Sequence, residues 1–543
     1  MSEAIKKLIL ENIDQINDRQ KLEEVKRSFS KRFRLSSILN SDILRSYRQL
    51  LASRQIVRRE VFELTLRKRS VRTISGIAPV AVLTKSYPCP GTCAYCPRQE
   101  DVPVSYLSNE PAVMRAIRCG YDPYKQTMLR LAALENNGHQ PEKIELIVIG
   151  GTWSYLPRKY RYWFILNCFR AANDYNNFRK TLLSLGEGEA AFKTKIKSFY
   201  PLSLSRQKIE ENLKKEQKKN ETARYRLIGV TLETRPDYIN EAEIYSMREL
   251  GCTRVELGVQ AVDDKILELN KRGHGVKEVA EATRLLKQYG LKITYHIMPA
   301  LPGSNPRQDL KMFKMLFTDE RFQPDQIKFY PTVVTEGSLL RRWYAEGKYQ
   351  PYSDKVLQNL IIKCKAVVPK YVRIIRLIRD IPGESIIAGN RITNLRQVMK
   401  QQGVACNCIR CREAKEGTVT DFKINQQVYA ASFGQEYFLS ADSLDGKTLY
   451  GFCRLRIDHT SPVAGAIVRE LHVYGELAPV GGSGKVQHRG LGKQLLKEAE
   501  QIAAKQGAGQ MAIISGVGVR GYYRKLGYRN IGGYMVKKIL KSR

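Results

Sequence analysis

Apolar positions recur at helical spacing at the start of the chain, in Ile5 to Ile16, Leu22 to Arg34, Asp42 to Leu51 and Arg58 to Arg69. They predict a helical extension over residues 1–75. From Ala78 the pattern changes to short β-rich runs: Ala78 to Leu83, Ile144 to Ile149, Leu227 to Leu232, Arg254 to Val259, Lys292 to Met298 and Gln326 to Val333. Six such runs alternating with helical stretches predict parallel βαβ units. Right-handed crossovers curl these units into a partial (βα)6 barrel, with functional groups gathered at the C-terminal ends of its strands. A charged excursion between Phe178 and Tyr225 carries Lys214, Lys215, Lys218 and Lys219 in one helical run, which suits either an RNA-facing or a simply solvated helix. Near the C-terminus the runs lengthen to Val428–Leu439, Leu449–Ile457 and Ala466–Val473, followed by a glycine-rich turn and a helix over Lys493–Lys505. The expected class is α/β: a basic helical extension (1–75), a partial barrel (76–395), a cysteine-rich junction (396–416) and a separate α+β domain (417–543).

Charge and cysteine usage narrow the function classes. Ninety-one Lys and Arg against 54 Asp and Glu leave a net charge of +37, which points to a polyanionic partner, nucleic acid first. The N-terminus lacks the uninterrupted apolar segment of a signal peptide, and the longest apolar runs fall far short of the roughly 20 residues that cross a bilayer, so no membrane span is expected. Six of the 11 cysteines fall in two tight clusters whose spacing suits metal better than disulfides, which implies a reducing, cytoplasmic setting. Cys119, Cys168, Cys252, Cys364 and Cys453 stand alone and read as small buried apolar residues.

The first cluster, Cys89-Pro-Gly-Thr-Cys93-Ala-Tyr-Cys96, follows the first barrel strand directly. Three thiolates hold a 4Fe-4S cluster with one iron left open, and S-adenosylmethionine (SAM) can fill that place through its amino and carboxylate groups. A structural zinc would want a fourth ligand nearby, and the loop supplies none. Gly150 and Gly151 end the second strand, where small residues let backbone approach a ligand. Glu233 and Arg235 after the third strand, Gln260 after the fourth and His296 on the fifth are placed to face the same mouth and make polar contacts to SAM or substrate.

Gln487-His488-Arg489-Gly490-Leu491-Gly492 opens the C-terminal helix. A QxxGxG turn at a helix N-terminus offers free backbone N–H groups to the pyrophosphate of coenzyme A, so acetyl-CoA is the expected ligand of this domain. Tyr523, with Tyr522 as a near-equal candidate, could protonate a departing CoA thiolate, and Glu470 could act as a base. Cys406, Cys408 and Cys411 supply three sulfurs for a structural zinc, with His459, His472 or Cys364 as possible fourth ligand.

Together these features resemble the catalytic subunit of Elongator and its stand-alone prokaryotic relatives over nearly the whole chain. The resemblance rests on CPGTCAYCP at 89–97, MRAIRCGYDPY at 114–124, IGGTW at 149–153, TLETRPD at 231–237, ELGVQ at 256–260, HIMPALPG at 296–303, KFYP at 328–331, RDIP at 379–382, the CNCIRCRE junction, QHRGLGKQLL and GYYRKLGY. It implies a radical SAM barrel joined to a GNAT-type acetyltransferase domain, and an enzyme that installs a 5-carboxymethyl group on the wobble uridine, position 34, of tRNA. In the implied reaction an adenosyl radical takes hydrogen from the methyl of acetyl-CoA, the carbon radical adds to uridine C5, and thioester hydrolysis leaves the carboxymethyl group. The resemblance also implies an electron donor, and a homodimer or other Elongator-like subunits as partners. Lys328 and Arg391, in family-like segments, could orient CoA or RNA. The basic N-terminal helices, the stretch Lys370 to Arg379, Arg391 and Arg396 would cradle tRNA through shape and phosphates. One departure stands at Arg98-Gln99-Glu100, where relatives commonly place glycines. The rival expectation is a protein lysine acetyltransferase with a structural iron–sulfur cluster.

Overall fold

The structure, a computed structural model, describes residues 2–35, 37–67, 76–185, 200–392, 394–414, 421–474 and 490–539. Lys68, Arg69 and Arg72 of the basic N-terminal run, Gly417, and Gln487, His488 and Arg489 of the glycine-rich motif lie outside the described residues.

The helices Ser2–Asn12, Arg19–Arg32, Asn40–Ala52 and Glu60–Leu66 open the chain. Their apolar stripes, among them Leu8, Ile9, Leu22, Phe29, Ile43, Tyr47 and Phe62, bury against one another as a separate core. Arg48 and Arg67 fasten this unit to the barrel by donating to the Glu135 and Gly138 carbonyls at 2.6 and 3.2 Å.

The six predicted strands form as β1 (Ala78–Leu83), β2 (Lys143–Ile149), β3 (Arg226–Thr234), β4 (Cys252–Gln260), β5 (Lys292–Ile297) and β6 (Gln326–Phe329). A short antiparallel pair, β7 (Val334–Thr335) and β9 (Ile386–Ala388), flanks a seventh parallel strand, β8 (Arg373–Arg376). The parallel sheet runs β1-β2-β3-β4-β5-β6-β8. Its central strand β4 is buried from Cys252 to Val259, as a strand covered on both faces must be. Of the stretch Lys370 to Arg379, Arg373 and Arg379 are engaged within the protein, while Lys370 and Arg376 stay exposed. Arg373 pairs with Glu413 at 2.8 Å and donates to the Tyr474 hydroxyl at 2.9 Å, while Arg379 pairs with Glu110 at 3.0 Å over the Tyr106 ring.

The second domain is a mixed sheet in the order β10-β11-β12-β13-β14-β16-β15. Its strands are β10 (Phe422–Ala431), β11 (Gly434–Ser443), β12 (Leu449–Ile457), β13 (Ala466–Val473), β14 (Gln510–Ile513), β15 (Arg529–Ile531) and β16 (Tyr534–Lys538). The run Val428–Leu439, expected as one strand, is a hairpin. It reverses at Ser432 and Phe433, both in the left-handed region at φ 46° and 63°. Tertiary contacts hold that turn: Ser432 donates its N–H to the Glu320 carbonyl at 2.7 Å, and Arg456 donates to the Ser432 carbonyl at 2.8 Å. The parallel strands β13 and β14 pair only over Ala466–Val468 and Met511–Ile513 and then diverge, leaving a wedge between them.

The wedge faces the N-terminal ends of the barrel strands, and buried charge welds the domains there. Arg469 on β13 donates to both carboxylate oxygens of Asp325, just before β6, at 3.0 and 2.5 Å, and to Glu436 on β11 at 2.8 Å. Lys287 and Arg456 each approach Glu436 at 3.3 Å, and Asp325 also accepts from the Ile293 N–H at 2.9 Å. Asp325, Lys287, Glu436, Arg456 and Arg469 are essentially inaccessible to solvent. Backbone meets backbone beside them: a Cβ on Gly516 would stand 1.9 Å from the Ile228 carbonyl oxygen.

Asp325→Ala would leave Arg469 and Arg454 buried without their shared carboxylate, and removing one partner of a buried pair costs about 3–5 kcal/mol. Denaturant unfolding of the variant should show a loss of that order, and an unchanged midpoint would count against the weld. Glu436 and Glu470 would be pushed up by burial, but the surrounding Arg and Lys charges hold both at about 2. Because their folded values lie below the unfolded ones, the stability they add is present above about pH 4.5 and drains away as pH falls from there toward 2. Unfolding followed by tyrosine fluorescence across that window should show it, and a flat stability profile there would be the contrary result.

Candidate active site spanning two domains

The end of β1 delivers the cysteine loop to the C-terminal mouth of the barrel. Ala94 ties the loop down by donating to the Asn270 carbonyl at 3.0 Å and accepting from the Leu340 N–H at 2.8 Å. Arg272 places its guanidinium 3.4 Å from Cys93 Sγ and also donates to the Gly258 carbonyl. The Cys93 thiol is drawn down to about 5, first by a hydrogen bond with Cys96 and then, against burial, by Arg272. Arg235 closes the loop from the other side. It forks onto Asp237 at 2.8 and 2.9 Å, while its buried Nη1 has no hydrogen-bond partner. Gly91 leaves room for that nitrogen, since a Cβ there would stand 2.3 Å from it and Arg235 would have to shift.

Gly150 and Gly151, at φ 131° and 97°, turn the chain at the end of β2, and Gly151 lines the cavity. A Cβ on Gly150 would collide with Thr84 Oγ1 at 2.1 Å, so that glycine serves the packing of β1 against β2; one on Gly151 would meet nothing nearer than 3.8 Å.

Inside the barrel the inward positions of neighbouring strands form one charged chain. Tyr106 donates to Glu233 at 3.1 Å, Glu233 lies 3.7 Å from His296 Nδ1, and His296 Nε2 lies 3.0 Å from Glu256. Glu256 also receives Lys328, and Arg254 bridges Glu145 at 2.9 Å. Burial alone would raise the Glu256 pKa and lower that of Lys328. Their mutual attraction outweighs it, so Glu256 sits well below the usual carboxylate range and Lys328 above its ordinary value. Lys328 is therefore a fixed cation and not a free base. Gln260, held at φ 72°, keeps a buried Oε1 without a partner at the same mouth.

Sequence reasoning missed Glu256, Arg272 and Tyr106. The period of two could have found the first: Glu256, Gly258 and Gln260 share one face of β4, and all three line the interior. Arg272 and Tyr106 come from loops and carried no such signal.

A single cavity of about 1850 Å3 runs from Cys89, Cys93 and Cys96 along these groups to Phe452, Glu470, His472, Ser515 and Tyr523 of the second domain. At that far end the helix Leu491–Lys505 starts from Gly490 in the left-handed region at φ 80°. The Leu491 side chain is buried in the domain core, so this residue anchors the helix and offers only backbone to a ligand. Tyr522 is half exposed, its hydroxyl 3.4 Å from where a Cβ of Gly492 would stand. Tyr523 is buried in the cavity wall, and burial raises its pKa, as it does for Tyr522. Glu470 corrects the expectation of a base: paired with Arg454 at 3.0 Å and Lys292 at 3.5 Å, and held at about 2, it belongs to the domain junction.

The Sγ atoms of Cys406, Cys408 and Cys411 lie within 4.8 Å of one another, and Cys406 and Cys411 line the same cavity near Arg396 and Arg410. Tetrahedral zinc with Zn–S bonds of about 2.3 Å sets sulfurs about 3.8 Å apart, which this trio suits. Among the described residues it is the only group of three or more potential ligands so close. Cys89, Cys93 and Cys96 all line the cavity at the barrel mouth, three thiols that suit a cluster with one open iron. None of the expected fourth ligands joins the tight trio. His472 lies tilted against Tyr474 with ring centroids 4.4 Å apart and parallel to the Phe452 ring, Cys364 is buried in the barrel-side core, and His459 lies by Gly465. Arg391 donates to the Ile386 carbonyl at 2.8 Å, and Arg396 to that of Ile374 at 2.8 Å.

Comparisons with known proteins match both halves of this cavity. Residues 84–316 match the Radical SAM superfamily, 324–402 the Radical_SAM C-terminal domain, and 412–528 the Acetyltransferase (GNAT) family. The radical SAM match implies SAM and a 4Fe-4S cluster at the cysteine loop, and acetyl-CoA fits the GNAT domain. The tRNA uridine(34) acetyltransferase of Dehalococcoides mccartyi is 44% identical over 491 residues, covering 87% of this chain and 100% of that protein. The Elongator complex protein 3 of Homo sapiens is 37% identical, covering 89% of this chain and 87% of its own length. The solved structure of Methanocaldococcus infernus Elp3 lacking residues 1–46 superposes with a TM-score of 0.70 at 38% identity, over 86% of this chain and 100% of that one. No described helix is long and apolar enough to cross a membrane. With both domain families matched in order and full-length relatives this similar, the chain belongs to the family of tRNA uridine(34) acetyltransferases and Elongator complex protein 3.

Proposed function

We propose that this chain modifies the wobble uridine of tRNA, installing a 5-carboxymethyl group with acetyl-CoA as carbon source. The observation that carries the reading is the single cavity joining the cysteine loop to the acetyltransferase wedge, since such a reaction needs both ends to reach one substrate. Cys89, Cys93 and Cys96 would hold the 4Fe-4S cluster, with Arg272 balancing its charge. Gly151, Gln260 and Glu233 would meet SAM. When bound, the cluster and SAM supply hydrogen-atom abstraction, which no side-chain base can perform on a methyl group. That chemistry requires a one-electron donor, and a reducing compartment such as the cytoplasm suits the free thiols.

The protein's own groups handle binding and protons. The N-terminus of the Leu491–Lys505 helix, which follows Gly490 of the QxxGxG motif, would receive the CoA pyrophosphate. Tyr523, kept protonated by burial, stands ready to donate to a departing thiolate from the wedge wall, with Tyr522 beside the helix start as its alternate. Lys328, fixed by Glu256, presents a permanent positive charge midway along the cavity to a carbonyl or phosphate oxygen. His296, held between two carboxylates, keeps its ring oriented across the path. Cys406, Cys408 and Cys411 would bind zinc and brace the junction, with a fourth ligand from outside the group. The net charge of +37 suits a tRNA partner.

Anaerobic incubation with tRNA, reductant, SAM and acetyl-CoA labelled in the methyl carbon tests the reading by nucleoside mass spectrometry. Labelled 5-carboxymethyluridine should form together with 5′-deoxyadenosine, and both should vanish in Cys93→Ala; label on protein lysines with unchanged tRNA would replace this reading by acyl transfer. Zinc is checked separately. Cys408→Ser should lower bound zinc from about one ion per chain to near none by elemental analysis while iron is retained, whereas equal zinc in parent and variant would remove the site.

A further inference from the structure

The helix Arg206–Asn220 lies against the barrel with Ile209, Asn212, Leu213, Glu216, Gln217 and Asn220 buried. Its first half balances its own charge, since Arg206 pairs with Glu210 at 2.8 Å and Lys208 with Glu211 at 3.5 Å. The second half does not. Lys214, Lys215, Lys218 and Lys219 are all exposed, and among the described residues no carboxylate lies within ion-pair distance of Lys214 or Lys215. The acids near the other two are already in use. Glu221, almost fully buried, is shared by Lys218 at 3.5 Å, Arg520 at 3.5 Å and Arg524 at 2.7 Å. Asp174, 3.7 Å from Lys219, is held by Arg170 at 2.5 Å.

These four lysines form a shallow concavity with Thr222, Glu221 and Arg524, so the surface crosses from the barrel to the acetyltransferase domain. Lysines spaced i, i+1, i+4 and i+5 share one side of a helix, and their uncompensated charge persists at physiological salt, where exposed like charges within about 8 Å still repel. A face held in that state is suited to an anion that brings several charges at once.

We infer that this face, together with Arg524, is a docking surface for the phosphate backbone of the tRNA, outside the cavity where the base is modified. The inference rests on the tRNA reading above and adds the place where the RNA body lies. Contact across the domain junction would favour RNA bound by shape and phosphate over any one sequence.

The test is tRNA binding to the full chain at several salt concentrations, comparing the parent with Lys214→Gln/Lys215→Gln/Lys218→Gln/Lys219→Gln and with the four Lys→Arg replacements. The Gln variant should bind more weakly, and its slope of log affinity against log salt should fall by about one for each phosphate no longer neutralised, roughly two to four in all. The Arg variant should bind as the parent does. A Gln variant with the parent's affinity and slope would overturn the inference while leaving the tRNA reading in place. A parent that does not bind tRNA would overturn both. Loss of binding to phosphatidylserine vesicles with tRNA binding intact would assign the face to an anionic membrane and overturn the inference as well.

Discussion

Asp325 and Arg469 meet where neither can reach water, and the geometry of the whole site follows from that meeting. A carboxylate and a guanidinium so enclosed are held by their mutual pairing, although Arg469 Nε has no hydrogen-bond partner. Asp325 accepts from Arg469 and from the Ile293 N–H, and Arg469 also reaches Glu436 and the Leu291 carbonyl. Each of those partners sits on a different element, so the network has one arrangement and not several. It holds the acetyltransferase wedge over the N-terminal ends of the barrel strands, where one cavity is lined by both domains. Hydrophobic packing alone could have joined the domains with more freedom to slide.

Barrel and acetyltransferase folds were legible because both are periodic. Runs of apolar residues marked β1 to β6 to within a few residues, and the strands at Leu449–Ile457 and Ala466–Val473 lie where the pattern put them. Failures came where tertiary interactions overrode local pattern. Val428–Leu439 reads as unbroken strand, yet Arg456 and Glu320 hold a reversal at Ser432 and Phe433, the second a bulky aromatic at positive φ. Arg373–Arg376 reads as a basic surface segment, yet it becomes a barrel strand because Glu413 and Tyr474 await Arg373.

Candidate site residues divide along the same line. Cysteines and glycines announce themselves by spacing, since loop geometry is local. Charged residues do not, because a carboxylate's role depends on what folds against it. Glu470 looked like a base and is a structural anion; Glu256 drew no notice and organises the barrel interior. Gly150 and Gly151 read alike in the sequence, yet Gly150 packs under Thr84 while Gly151 lines the cavity.

The divergence of β13 and β14 after Val468 and Ile513 leaves main-chain hydrogen-bonding groups along two strands without the neighbours a sheet would give them. Such an opening is, in effect, a pair of internal edges, and edges recruit strands from other molecules. Here the barrel roofs them over, with Gly516 pressed to the Ile228 carbonyl. The radical domain thus covers an opening that would otherwise present strand edges to solvent.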